Sequence, residues 1–405
     1  VAVAGGAAAR RQLILIAAVQ ILVMVTWFSA SAVVPSLTAE WGLTAGGAAW
    51  LTASVQLGFV CGAVASAVLN LPDRVPVQVL VCGCSLLAVA ATVALAAMAG
   101  GLGTALVLRF TTGFALAGVY PPGLKLMASW FDRGRGLALG VLVGSLSLGS
   151  ALPHLLSSFG RLPWEAVLYA AGGLGVAGAV LAGCWVRPGP DALPAAPFRP
   201  GYVVALFRER GPRLANLGYF GHMWELYAVW TWLPSYLAAS QAAGGGGSLS
   251  PAIVAFLAIG VGGLLGCPFA GWAGDRLGRA RTAAGAMAGS ATCCLLAAVM
   301  FGRPSWMVIA VAMVWGATVI ADSGLFSACL TTVVDHRYVG TALTAQTALG
   351  FLLTVVTIQA VPLLVQAGGW WLALAVLAVG PVWGCVAMSR LAPLTDNRNR
   401  EAVFA

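Results

Sequence analysis

Residues Gly271–Arg281 read GWAGDRLGRAR, a short charged stretch between two long apolar runs, and LNLPDRVPV at Leu69–Val77 has the same setting. The pair Asp275-Arg276 and the pair Asp73-Arg74 are 202 residues apart, half of the 405-residue chain. A second couple keeps nearly the same offset. WFDRGRGLALG and VDHRYVGTAL, aligned through Gly136 and Gly340, are 204 residues apart. Two offsets that agree this closely mark an internal duplication, so the chain reads as two copies of one helical unit.

The composition says what surrounds those units. Soluble domains carry roughly a quarter charged residues, whereas Lys, Arg, Asp and Glu make up 8% of this chain and the apolar set 60%. In hydrocarbon a backbone must satisfy its own hydrogen bonds, which a helix of about 20 apolar residues does. Spans are predicted at 12–34, 47–69, 77–98, 102–127, 136–158, 163–186, 213–238, 251–273, 281–301, 305–330, 341–366 and 369–390. The fold class is therefore an all-α integral membrane protein with twelve transmembrane helices. The 52 glycines and 20 prolines that interrupt many spans do not argue against helix, since both are common in membrane helices.

Orientation follows from the basic residues, which stay on the cytoplasmic side. With the N-terminus inside, eighteen of the 21 lysines and arginines lie on inner segments; Arg161 and Arg303 lie outside and Arg109 within a span. Both termini are expected in the cytoplasm, and the compact, Arg-, Ala- and Gly-rich chain in a cell inner (plasma) membrane. The net charge of +9 follows from these inner positives without a nucleic-acid partner. Arg10 and Arg11 precede a full span with no small-residue cleavage site, which reads as an uncleaved first helix. The nine cysteines sit in or beside apolar spans with no His at ligand spacing, so neither a disulfide nor a metal site is predicted.

The segment 187–212, with six prolines and four arginines, reads as a cytoplasmic linker between a six-helix bundle at 1–186 and a second at 213–405. On these features the chain resembles the major facilitator superfamily of secondary transporters over essentially its whole length. The most specific match is the loop signature carried by Gly271, Asp275, Arg276, Gly278, Arg279 and Arg281. The glycine permits close helix packing, and Asp275 can pair with Arg279 and accept hydrogen bonds from a neighbouring helix N-terminus, a latch on one access state. The first copy keeps Asp73 and Arg74 but has Leu69, Pro76 and Val77 where the signature has Gly, Gly and Arg. Arg109 and Gly113 in the fourth span resemble the Arg-x-x-x-Gly signature of proton-coupled members. Gly140, Gly144, Gly149 and Pro153 resemble the antiporter signature only loosely, because the Gly-Pro dipeptide is missing.

Few ionisable groups lie deep in the spans: Arg109 in the fourth, His222 and Glu225 in the seventh, and Asp322 in the tenth. A charge there costs about 3 kcal/mol on insertion scales, so each is expected to face a wet cavity or another of the set. The resemblance implies a central cavity lined by the first, fourth, seventh and tenth helices, the last three of which carry these charges. His222 and Glu225, three residues apart, share a helix face with Tyr219 close to it. Glu225 can carry a proton or merely pair with His222. Arg109, about 10 Å outward of its span's centre, is a candidate counter-ion for an anionic substrate or for Glu225. Asp322 either joins this site or caps a local helix break beside Ser323 and Gly324. Trp27 and Tyr120 are further cavity candidates, while Trp230 and Trp232 read as anchors at the outer interface.

These readings lead to a secondary active transporter of a small organic solute, with an organic anion as the expected substrate, alternating access, and a proton gradient in place of any cofactor. Efflux of aromatic or cationic compounds is the alternative within transport, and a non-transporting sensor or scaffold of the same fold the alternative outside it. No phosphate loop or nucleophile with a positioned base suggests an enzyme. The expected partners are the substrate and the lipid bilayer, with no nucleic acid, and the resemblance implies a monomer.

Overall fold

Hydrocarbon favours helices, and among the described residues of the computed structural model there is no strand. These residues are 6–131, 134–159, 162–190, 199–247 and 249–404, with no side-chain description at 73, 200, 336 and 396–404. The linker at 191–198, Arg133, Arg161 and the side chains of Asp73, Arg398 and Arg400 lie outside the description.

The order begins with α1 (Ala7–Met24), α2 (Ser29–Ala32) and α3 (Val34–Trp41), followed by α4 (Ala45–Val68) and α5 (Leu71–Arg74). Next come α6 (Val77–Met98), α7 (Leu102–Leu116), α8 (Tyr120–Ala128), α9 (Arg135–Ser157) and α10 (Trp164–Cys184). After the linker stand α11 (Ala205–Arg208), α12 (Arg210–Ala243) and α13 (Pro251–Ala255), which runs through a π-helical stretch at Phe256–Val261 into α14 (Gly262–Leu277). The last are α15 (Arg279–Met300), α16 (Ser305–Ala321), α17 (Ser323–Val333) and α18 (Val339–Phe404). The last is two helices joined at Gly368 and Gly369, where Gly369 takes a φ of +76° that disfavours other residues.

Among the described residues ten helices are long and apolar enough to cross a membrane. The 34-residue α12 is long but is not among them, because its polar side chains lower its hydropathy. It starts at Arg210, inside the segment read as linker. Pro212 does not prevent this, since a first-turn N–H has no helical partner to lose. The final helix continues past residue 390, where the apolar run ends.

Three spans are broken midway, each for a different reason. Between α1 and α2 the hydroxyl of Thr26 donates to Val23 O (2.8 Å) and that of Ser29 to Thr26 O (3.0 Å), side-chain bonds that compete with the helix ladder. Between α7 and α8, Pro121 and Pro122 fill the first positions of the new helix, where a missing N–H does no harm. At α16–α17 the backbone turns at Asp322, whose carbonyl accepts from Leu325 N at 2.8 Å.

The helices before the linker meet those after it along two seams, α9 against α14 and α4 against the first part of α18. Small residues bring the first seam close: a methyl at Gly140 would lie 3.0 Å from the carbonyl carbon of Cys267. The seam is also bonded, since Ser147 Oγ donates to Ile259 O at 2.6 Å. The buried ionisable groups lie on α7, α9 and α12 and at the α16–α17 turn.

Candidate functional site

Glu225 is only 1% exposed, and both carboxylate oxygens are engaged. Ser290 of α15 donates its hydroxyl to Oε2 and Trp315 of α16 its indole N–H to Oε1, each at 2.7 Å. One helical turn back on α12, His222 Nδ1 lies 2.9 Å from Asp322 Oδ1, both side chains 2% exposed, and His222 Nε2 is 2.9 Å from Ser323 Oγ. The turn at Asp322 brings two consecutive side chains, Asp322 and Ser323, onto the same imidazole. Tyr219 completes the face: its ring lies 6.2 Å from that of His222 and 5.9 Å from that of Phe326, while Tyr120 stands at the head of α8, half-buried.

The partner of His222 is thus Asp322, not Glu225. No Lys or Arg pairs with either carboxylate among the described residues. Both acids are held by neutral donors and one imidazole, a set that can share or exchange protons but cannot neutralise two carboxylates permanently.

Arg109 is fully buried and lies elsewhere. Its guanidinium donates to Thr26 O (2.9 Å), to Ser29 Oγ (3.4 Å) and to Trp27 O, so it caps the carbonyls that the α1–α2 break sets free. Those carbonyls have no water in a bilayer interior, and a five-donor guanidinium meets several at once. No carboxylate pairs with it among the described residues.

Trp27 itself enters an aromatic layer between helices on either side of the linker. Its ring centroid is 5.0 Å from Phe59 of α4, 5.9 Å from Tyr227 of α12 and 5.8 Å from Phe351 of α18. Phe59 stacks on Phe351 at 4.4 Å, and Phe28 meets Trp230 edge-on at 5.2 Å. Trp230 is therefore no interface anchor: it is 2% exposed and packed inside, where Tyr227 three residues earlier shares its helix face. Trp232, also read as an anchor, donates its indole N–H to Ile358 O at 3.0 Å.

At the end of the bundle that carries the duplicated loops, Asp275 Oδ1 is 3.8 Å from an Arg279 nitrogen, and Arg276 lies 4.5 Å from the centroid of the Trp272 ring. Gly278 separates α14 from α15 with a φ of +96°. The Asp275 carboxylate rests on the first turn of α9: a methyl added at Gly136 would sit 2.6 Å from Oδ2. Gly271 packs on the backbone of the same turn. An acid at a helix N-terminus faces its positive end, which favours this contact across the α9–α14 seam. Arg74, at the end of α5, is exposed.

The structure thus brings Tyr219, His222, Glu225 and Asp322 into one neighbourhood and sets Arg109 with Trp27 in another. Ser290, Trp315, Phe59, Tyr227 and Phe351 have no local sequence signal that distinguishes them from ordinary membrane-helix residues. Only their packing identifies them.

No curated protein matches the chain. The family model described as Major Facilitator Superfamily matches residues 16–358, from within α1 to the first part of α18. With an all-helical membrane architecture and this match over most of its length, the chain belongs to the major facilitator superfamily of transporters.

Proposed function

We propose that the protein is a proton-coupled secondary transporter of a small organic anion, built of twelve spans in two six-helix halves that rock about the α4–α18 and α9–α14 seams. In this reading α12 is a span, α18 supplies two, and both termini are in the cytoplasm of a cell whose plasma membrane holds the monomer.

The observation that carries the reading is the pair of buried acids without a basic partner. Glu225 is held by Ser290 and Trp315, and Asp322 faces His222. Moving either carboxylate through a dry intermediate is far less costly with a proton bound, so each change of access state has a reason to carry one. A cationic substrate would need these acids to face it; here both are spent on contacts within the C-terminal helices. Arg109, which has no carboxylate partner among the described residues, stands by the aromatic layer instead.

The test is purified protein in proteoliposomes with an imposed pH gradient and a panel of labelled organic anions and cations. Wild type accumulates anions uphill, and Glu225→Gln loses accumulation but retains exchange down a gradient. Undiminished pH-driven accumulation by Glu225→Gln overturns the proton-carrier role, and accumulation of cations alone overturns the substrate charge.

A further inference from the structure

The layer formed by Trp27, Phe59, Tyr227, Trp230 and Phe351 holds three buried polar groups that nothing explains. The indole N–H of Trp27, the indole N–H of Trp230 and both amide atoms of Gln56 have no hydrogen-bond partner among the described residues. Gln56 is fully buried on α4, one turn from Phe59, and the two tryptophans are 1% and 2% exposed. Buried donors are rarely left without an acceptor, because each costs about 1–3 kcal/mol. Three such groups in one layer mark a place that something else completes.

Charge and shape say what completes it. Arg109 donates to the backbone carbonyl of Trp27 itself, so a positive group without a carboxylate partner stands directly behind the layer. The carboxylate of Glu225, two residues from Tyr227, is turned away to α15 and α16. The flat faces come from both sides of the linker, Trp27 and Phe59 from one, Tyr227 and Phe351 from the other, at ring separations of 4.4 to 5.9 Å. Parting the two sides opens a slot between aromatic faces with N–H donors at its edge.

We infer that this layer is the solute-binding slot and that it takes a planar, apolar-bodied carboxylate, an arylcarboxylate in kind, whose ring lies between the aromatic faces. Its oxygens accept from the indole N–H groups of Trp27 and Trp230 and from the amide of Gln56. The inference rests on the transporter reading above but assigns the binding residues and the substrate class independently of the proton carrier.

Equilibrium binding of labelled benzoate and phenylacetate to the full chain in nanodiscs tests it, with benzyl alcohol and benzylamine as competitors. Trp27→Phe and Trp230→Phe keep the ring and remove the donor; each is expected to weaken benzoate binding about tenfold, the worth of a hydrogen bond to a charged group. Gln56→Leu does the same, and Trp383→Phe, at a residue 58% exposed on the outside of the bundle, leaves binding unchanged. The slot is overturned if neither acid binds, if benzylamine competes as well as benzoate, or if the Trp→Phe variants bind like wild type, the last being the result expected when water alone satisfies the donors. Donor-dependent binding together with unimpaired proton-driven uptake by Glu225→Gln upholds the slot and overturns the coupling assignment; the converse pattern does the reverse.

Discussion

Trp315 and Glu225, 90 residues apart in sequence, are joined by a 2.7 Å hydrogen bond in which the indole N–H donates to the carboxylate. The bond ties α12 to α16 inside the C-terminal helices, and Ser290 adds α15 to the same residue. One side chain therefore does structural work and carries a titratable group at the same place.

The two roles separate by substitution. Glu225→Gln keeps an oxygen for Trp315, and the Ser290 hydroxyl can turn to accept from the new amide, so this variant is expected to unfold in detergent micelles close to wild type. Glu225→Ala leaves both donors buried and unpaired and is expected to lose about 1–3 kcal/mol per donor. Equal stability of the two variants would show that Ser290 and Trp315 are not held by the carboxylate.

His222 bridges Asp322 and Ser323 through its two ring nitrogens, each at 2.9 Å. A glutamine can retain one of these contacts but binds no proton between pH 5 and 8. His222→Gln is expected to leave the maximal exchange rate within about threefold of wild type while flattening its dependence on pH, because an amide cannot share a proton with Asp322 as the imidazole can. Exchange measured across pH 5.5 to 8 checks this, and an unchanged profile would assign the imidazole to helix anchoring alone.

The legible part of this fold was whatever depends on runs and repeats. Apolar lengths marked the long helices, ten of which are apolar enough to cross a membrane among the described residues, and the 202-residue offset between the Asp-Arg pairs suggested a duplication. Pro121 and Pro122 are a sequence cue for the break between α7 and α8 that the apolar length of 102–127 conceals. The break at residues 25–28 had no such herald: Thr26 and Ser29 hold it with hydroxyls, and its capping group, Arg109, stands 82 residues from Trp27. The sequence offered Arg109 as a counter-ion because a buried charge needs a partner, but backbone carbonyls at a broken helix are partners that composition does not display. Trp230 escaped for a related reason. A tryptophan toward a helix end suits an interface, and only packing against Phe28 and Tyr227 places it in the interior.

Arg109 makes a further prediction about that break. Its planar fork reaches the carbonyls of Thr26 and Trp27 together, which the compact ammonium of lysine does not reproduce. Arg109→Lys is expected to destabilise by about 1.5–3 kcal/mol, one charged hydrogen bond, and Arg109→Ala by more, since Trp27 O then loses its donor and Thr26 O keeps only the Ser29 hydroxyl. Unfolding of the variants in detergent micelles reads the order. If alanine is tolerated as well as lysine, water and not the guanidinium satisfies the broken turn.

Gly136 and Asp275 make the most discriminating pair. A methyl at Gly136 collides with the end of a side chain, the Asp275 carboxylate at 2.6 Å, and the carboxylate can rotate away. Gly136→Ala is therefore expected to fold while undoing the contact that holds α14 on the first turn of α9. It should shift the access equilibrium in the same direction as Asp275→Ala. Because each change removes the same interaction, the double variant should shift it no further than either single one, a coupling that additive effects would not give. Gly271→Ala is the contrast: its methyl meets the backbone of Gly136, which cannot swing aside, so the cost falls on stability, about 1–3 kcal/mol for an overpacked contact. Distances between spin labels on the ends of α6 and α15 nearest the duplicated loops measure the shift. Additive shifts from Gly136→Ala and Asp275→Ala would mean that the carboxylate and the helix start act on the equilibrium separately, and the latch would have to be sought elsewhere on the α9–α14 seam.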